Sequence, residues 1–207
     1  MSDPDAGSTP DLTPASLEPL ADPLDGDVLG AVVEEERGSL PFSLVHGESL
    51  VACASWALGA AGVEAVALGT PWTVVQESVG EAGTPFVLHD ALCPLLDADE
   101  IARCVRRSAA EDVVVVGVRP VTDTVKIARA GELGETVDRD DLAAVASPVV
   151  LPPWVVADLE RLPSVDFAAL TTVLQARYPV VLVEVPAAGR RVASPEDVRV
   201  LEALTAR

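Results

Sequence analysis

Asp112-Val113-Val114-Val115-Val116-Gly117-Val118 is the stretch on which the fold turns. It is a β-branched run with no polar alternation, the pattern of a strand buried on both faces. Such a sheet needs helices above and below it, so the run predicts an α/β fold with a mostly parallel sheet. Residues 180–185 form a second run of the same kind. Working outward, short apolar runs alternate with helical patterns. Residues 29–33, 63–68 and 85–90 read as strands. Residues 49–58 read as a helix ending at Gly59 and Gly62, and residues 74–79 begin another. A further helix opens at Asp97, with Glu100 three residues on as a capping box, and runs to about Ser108. Ser194-Pro195-Glu196-Asp197 starts the last helix, with Ser as N-cap, Pro in the first turn and acids at the positive dipole end. Its inward residues are expected to be Val198, Leu201 and Leu204.

One segment breaks the alternation. Residues 125–130 and 135–139 read as extended, with Gly131-Glu132-Leu133-Gly134 between them as a four-residue turn. This predicts a β-hairpin that is polar on both faces. A lone two-stranded hairpin is marginal in water, so it is expected to pack on its own body or on a partner chain.

Composition limits the function. Acids outnumber bases 33 to 14, a net charge of −19. Nucleic acid and anionic membrane surfaces are poor partners for such a chain. No apolar run reaches the roughly 18 residues of a membrane span. The start, MSDPDAGSTP, has neither the basic region nor the apolar core of a secretory signal. Residues 1–27, acidic and repeatedly broken by proline, predict a disordered tail. With 49% hydrophobic residues, the remainder can bury a core. The expectation is a soluble, acidic, cytoplasmic domain.

Cys53, Cys93 and Cys104 form no CxxC pair and predict neither a disulfide framework nor a zinc site. His46 and His89 are the two histidines and Lys126 the one lysine. The proximity of Cys93 to His89 reads as an accident of sequence rather than a thiol nucleophile with its base. Trp56, Trp72 and Trp154 read as packing residues. Glu34 to Glu36 read as a solvated loop rather than a metal cage, because consecutive acids do not converge on one ion unaided.

Several stretches, in order, resemble one family, the 2-C-methyl-D-erythritol 4-phosphate cytidylyltransferases of the non-mevalonate isoprenoid pathway. Gln76-Glu77-Ser78-Val79 resembles the family's RQxSV, and Leu88-His89-Asp90-Ala91-Leu92-Cys93-Pro94 its VHDAARP. Pro120-Val121-Thr122-Asp123-Thr124-Val125-Lys126 is similar to its PVxDTxK. Thr136-Val137-Asp138-Arg139 resembles its TVDR, Ser147-Pro148 its TP, and residues 192–197 the end of its K-(I/V)-T-x-P-E-D. The resemblance implies a Rossmann-like α/β domain over residues 28–207: a mostly parallel sheet, helices on both faces, and a protruding β-hairpin arm at about 120–140. It implies a homodimer through residues 123–139. It also implies a reaction in which the hydroxyl of methylerythritol phosphate attacks the α-phosphate of cytidine triphosphate and pyrophosphate leaves. Positioning and cations do most of such work.

The chain departs from the family where that chemistry occurs. The family's AAGxGxR loop cradles the triphosphate on backbone N–H groups. Here a shorter loop reads Val33-Glu34-Glu35-Glu36-Arg37-Gly38-Ser39. At contact distance each like-charge pair with a triphosphate costs about 1–4 kcal/mol. Phe42 stands where the family has the lysine of PKxL. Val75 and Cys93 stand for the arginines of RQxSV and HDAARP, and Arg191 for the lysine before the last helix. What the resemblance retains is Asp90 at a strand end, Thr124, Lys126 and Arg139 on the arm, Ser147 at its base, and Asp166. It implies substrate binding by Asp90, Thr124, Lys126, Arg139, Ser147 and Arg191. In an active enzyme Asp90 would also meet Mg²⁺; otherwise no cofactor is expected.

Three functions follow: a catalytically inactive, dimeric binding or regulatory homologue; an active cytidylyltransferase with an altered loop; or a structural partner of an active family member. A sugar phosphate is the expected ligand of the first.

Overall fold

The computed structural model describes residues 24, 27–129 and 131–206. The predicted tail lies almost wholly outside the described residues.

In chain order the elements are β1 (Val28–Val33), β2 (Leu44–Val45), β3 (Glu48–Ser49), α1 (Leu50–Ala60), β4 (Val63–Ala65), α2 (Trp72–Ala82), β5 (Phe86–Asp90), α3 (Ala98–Glu111), β6 (Val114–Pro120), β7 (Val125–Arg129) and β8 (Glu132–Val137). They continue with β9 (Ala143–Leu151), α4 (Pro153–Asp158), α5 (Phe167–Gln175), β10 (Val180–Glu184) and α6 (Pro195–Thr205). The central sheet runs β10-β6-β9-β5-β1-β4. All its pairings are parallel except those of β9, which lies antiparallel between β5 and β6.

The alternation of the strands sorts the core onto two faces. Ala31, Val33, Phe86, Leu88, Val114, Val116, Val149 and Leu151 face α2, α4 and α5. Val28, Val87, Val115, Val150 and Val183 face α1 and α3. The valine run of β6 is therefore buried on both sides, as its composition predicts. The second run, expected to be of the same kind, is not: β10 is an edge strand, Val183 is its one buried residue and Leu182 is 44% exposed. A third cluster, built on Val45, Leu50, Leu92, Val198 and Leu201, fastens α6 over the carboxyl end of the sheet.

The local signals fared unequally. Ser194 accepts from the Asp197 amide at 3.2 Å while Asp197 accepts from the Ala193 amide at 2.9 Å, a reciprocal N-cap. Asp97 caps α3, but Glu100 pairs with Arg103 instead of reaching back. β4 ends at Ala65, three residues short of the predicted strand. Leu204, predicted inward, is 69% exposed, because it sits on the last turn of α6 beyond the apolar cluster. Trp56 is likewise exposed. Trp72 and Trp154 do pack, edge-on against Phe86 and Tyr178 respectively.

β7 and β8 form the predicted hairpin as a separate two-stranded sheet. Arg129 pairs with Glu132, so the turn is tighter than the four residues expected and closes at Gly131, φ 84°. Gly131 stands in the left-handed region that glycine enters without a steric penalty. Arg139, predicted at the end of the second strand, lies in a short 3-10 turn after it.

Candidate functional site

In an open α/β sheet, ligands bind outside the carboxyl ends of the strands where the strand order reverses. Here that point lies between β1 and β5, whose last residues, Val33 and Asp90, are register partners. The loop leaving β1 turns sharply there. Glu36 (φ 59°) and Gly38 (φ 60°) both adopt left-handed backbone, and Arg37 between them is swung inward.

Arg37 makes the dominant contact of the site. Its Nε donates to Asp90 Oδ1 and its terminal nitrogen to Oδ2, both at 3.2 Å. The guanidinium also donates to the carbonyls of Glu35 at 3.1 Å and Val165 at 2.6 Å. Arg191 adds a bond from Nε to Asp90 Oδ2 at 3.0 Å, and the Leu92 amide donates to Oδ1 at 2.9 Å. Asp90 is wholly buried, the Arg37 side chain is 3% exposed, and Arg191 is 35% exposed. Arg37 thus ties the loop after β1 to the end of β5 and to the segment before α5, across the crevice.

Beneath Asp90, β9 supplies Ser147. Its hydroxyl oxygen accepts from the Asp90 amide at 3.1 Å and lies 2.6 Å from His89 Nδ1. His89 is fully buried, and its Nε2 has no hydrogen-bond partner among the described residues. Burial pulls its pKa down to about 4, against an opposing pull from the Asp90 charge, so the ring is neutral near pH 7. Cys93 is buried, and burial followed by the Asp90 charge drives its thiol far up. That is the reverse of an activated nucleophile.

Among the substrate-side residues predicted from sequence, Asp90, Ser147 and Arg191 therefore meet. Thr124, Lys126 and Arg139 do not join them within one chain; among the described residues they share no hydrogen bond or ion pair with that group. Thr124 and Arg139 instead line a groove of about 420 Å³ at the base of the arm. Arg139 donates to the Thr122 carbonyl at 3.1 Å. Lys126 is exposed on β7 opposite Thr136. Asp166 caps α5, accepting from the Ala169 amide at 2.8 Å. Gln76 donates to the carbonyls of Val156, Ala157 and Leu159 at the end of α4.

A divalent cation does not fit Asp90. Both its oxygens are taken, two guanidinium charges already face it, and none of its surface meets solvent. Among the described residues no three His, Cys, Asp or Glu side chains gather into a metal-binding group.

Beside the crevice, at the ends of β1 and β4, a groove of about 430 Å³ is lined by Val32, Glu34, Glu35, Val51, Ser55 and residues 65–69. It includes two carboxylates and no basic side chain. Glu34, Glu35 and Glu36 are exposed, and Phe42 is 62% exposed.

Sequence reasoning missed Arg37. Its partner lies 53 residues away, and no local spacing announces such a contact. The available signal was a lone cation in a loop otherwise filled by carboxylates.

Comparison with known proteins agrees with this fold. The structure of 4-diphosphocytidyl-2C-methyl-D-erythritol synthase from Anaerococcus prevotii superposes with a TM-score of 0.63 at 13% identity, covering 87% of this chain and 96% of that one. The 2-C-methyl-D-erythritol 4-phosphate cytidylyltransferase of Thermus thermophilus gives 0.60 at 24%, covering 86% and 97%. At these identities the likeness is one of fold. The bifunctional enzyme IspD/IspF of Clavibacter michiganensis is 45% identical over 75 residues, which is 36% of this chain and 18% of that protein. The one from Solidesulfovibrio magneticus is 42% identical over 62 residues, 30% of this chain and 16% of that protein. The aligned stretch thus spans less than a fifth of either curated relative. Among the described residues no helix is long and apolar enough to cross a membrane. Residues 72–203 match the family model of IspD, 2-C-methyl-D-erythritol 4-phosphate cytidylyltransferase, and the chain belongs to that family.

Proposed function

We propose that this chain is a non-catalytic member of the cytidylyltransferase family, working as a dimeric binding or regulatory protein. One observation carries the reading. Arg37, the cation of the loop after β1, is turned inward and consumed by Asp90, while Glu34, Glu35 and Glu36 face outward. A loop built this way offers a triphosphate carboxylates in place of amides and cations. Removing one charge-stabilising donor typically lowers a rate by about 10²–10³. Here Phe42, Val75 and Cys93 also stand where the family carries cations. Asp90 acts as the anchor of two arginines rather than as a ligand to substrate or metal.

The arm supports the dimer. Among the described residues β7 and β8 pair with no strand of the central sheet, and Leu133 near the tip is 76% exposed. A second subunit would cover this surface and could present Thr124, Lys126 and Arg139 to the site of its neighbour. Light scattering should give twice the monomer mass, and deleting the hairpin should give monomers.

The decisive assay is pyrophosphate release from cytidine triphosphate and methylerythritol phosphate. No release above background is expected. Turnover at ordinary enzymatic rates refutes the reading and restores the active alternative.

A further inference from the structure

We infer that a groove at the carboxyl end of β6 and the start of β9 is an anion site of this chain, built for a phosphate or diphosphate group by Arg119, Arg190 and Arg191. The inference deepens the proposed binding role by assigning it a ligand class, and rests on that role only for its biological meaning.

The groove holds about 400 Å³, and all three arginines line it. Each guanidinium is anchored at one edge. An Arg119 terminal nitrogen donates to the Ala187 carbonyl at 2.6 Å. Arg190 pairs with Asp197 at 3.3 Å, and Arg191 with the buried Asp90 at 3.0 Å. No other hydrogen-bond acceptor is found for these side chains among the described residues, which leaves most of their N–H groups without a protein acceptor. Arg119 has no acid partner among the described residues. Planar guanidinium forks held in place lose little freedom when they meet a tetrahedral oxyanion, and they match its geometry in pairs.

The backbone provides the room. Arg119 pairs in register with Ala144 on β9, and Ala144 and Ala146 both line the groove. Methyl side chains there leave the volume that larger residues would fill. The charge balance also favours an anion. The lining itself carries three cations, Arg119, Arg190 and Arg191, against one carboxylate, Asp123, in a protein of net charge −19. Arg119 and Arg190 lie outside every motif that carries the family resemblance.

The test uses the full chain at constant ionic strength, titrated by calorimetry with inorganic pyrophosphate, inorganic phosphate and glycerol phosphate. Saturable binding of at least one probe is expected. Arg119→Ala should weaken it about tenfold or more, since a charge-assisted bond is lost. Arg119→Lys, which keeps charge without the fork, should fall between. Arg190→Ala gives an independent second variant, and melting of the free proteins checks that each is folded. Tighter binding of pyrophosphate assigns a diphosphate ligand, and tighter binding of glycerol phosphate a phosphomonoester. Absence of binding, or binding unchanged in both alanine variants, overturns the site. A change in oligomeric mass with no binding of any probe would make the groove a protein interface and also overturn it. None of these outcomes bears on pyrophosphate release from cytidine triphosphate, so the two readings fail separately.

Discussion

Replacing Arg37 by alanine should destabilise the protein far more than a loop substitution normally does. Arg37 is buried and makes four hydrogen bonds, two to Asp90 and one each to the Glu35 and Val165 carbonyls. Removing one partner of a buried ion pair costs about 3–5 kcal/mol, because the remaining charge keeps its desolvation penalty. Arg191 still holds Asp90 Oδ2 in the variant, which argues for the lower end, about 3 kcal/mol. For a domain of this size that corresponds to a drop of about 6–12 °C in Tm. Arg191→Ala is the internal control: its side chain is one-third exposed, so solvent screens its contribution and the loss should be clearly smaller. Urea unfolding of the three proteins gives the order directly. If Arg37→Ala costs less than about 0.5 kcal/mol, the usual surface value, or less than Arg191→Ala, the loop is not tied down as described.

Two further predictions concern the layers beneath Asp90. His89 is neutral when folded, with a pKa of about 4 against an ordinary 6.5, so the unfolded chain takes up its proton first. Stability should therefore fall as pH drops from about 6.5 to about 4, by roughly 3 kcal/mol in all. In His89→Gln that part of the slope should vanish; equal slopes in the two proteins would show that His89 is not the group responsible. Gly117→Ala should be poorly tolerated, because a Cβ there would lie 2.2 Å from the Ser147 carbonyl oxygen, and every atom it would meet is Ser147–Pro148 backbone, with no flexible side chain to yield. A loss of more than about 2 kcal/mol by urea unfolding is expected, and an unchanged midpoint would contradict the close approach of β6 and β9.

The sequence spoke most clearly where one residue type carries one physical meaning. The valine runs of β6 and β10, the apolar run of β5 and the caps of α3 and α6 depend on local chemistry, and they stand close to where they were read. β9 was not legible. Ser147-Pro148 falls within it, and proline inside a strand normally argues against a strand. It is accommodated because the β6–β9 register shifts between Val116 and Val118, where Gly117 leaves space for the Ser147 carbonyl. α4, six residues long, was also missed; so was α5, although Phe167, Leu170, Thr171 and Leu174 recur at helical spacing behind the Asp166 cap. At the site, Asp90, Ser147 and Arg191 were found through motif resemblance, which carries long-range information that composition lacks. Arg37 could not be found that way: its meaning depends on a left-handed turn at Glu36 and on a carboxylate brought near only by the pairing of β1 with β5. The same resemblance pointed to Asp90 as a ligand-facing group, and only the fold reveals a carboxylate already occupied by two guanidinium groups.

The central claim is that the crevice at the ends of β1 and β5 no longer accepts a nucleoside triphosphate. Calorimetric titration of the intact protein with cytidine triphosphate and Mg²⁺ tests it most directly. The account predicts no saturable heat at millimolar nucleotide beyond what inorganic pyrophosphate gives at the arginine groove, and no dependence on Glu34 or Glu35. Saturable binding that requires the cytidine base, and that tightens when Glu34 and Glu35 are replaced by glutamine, would contradict it.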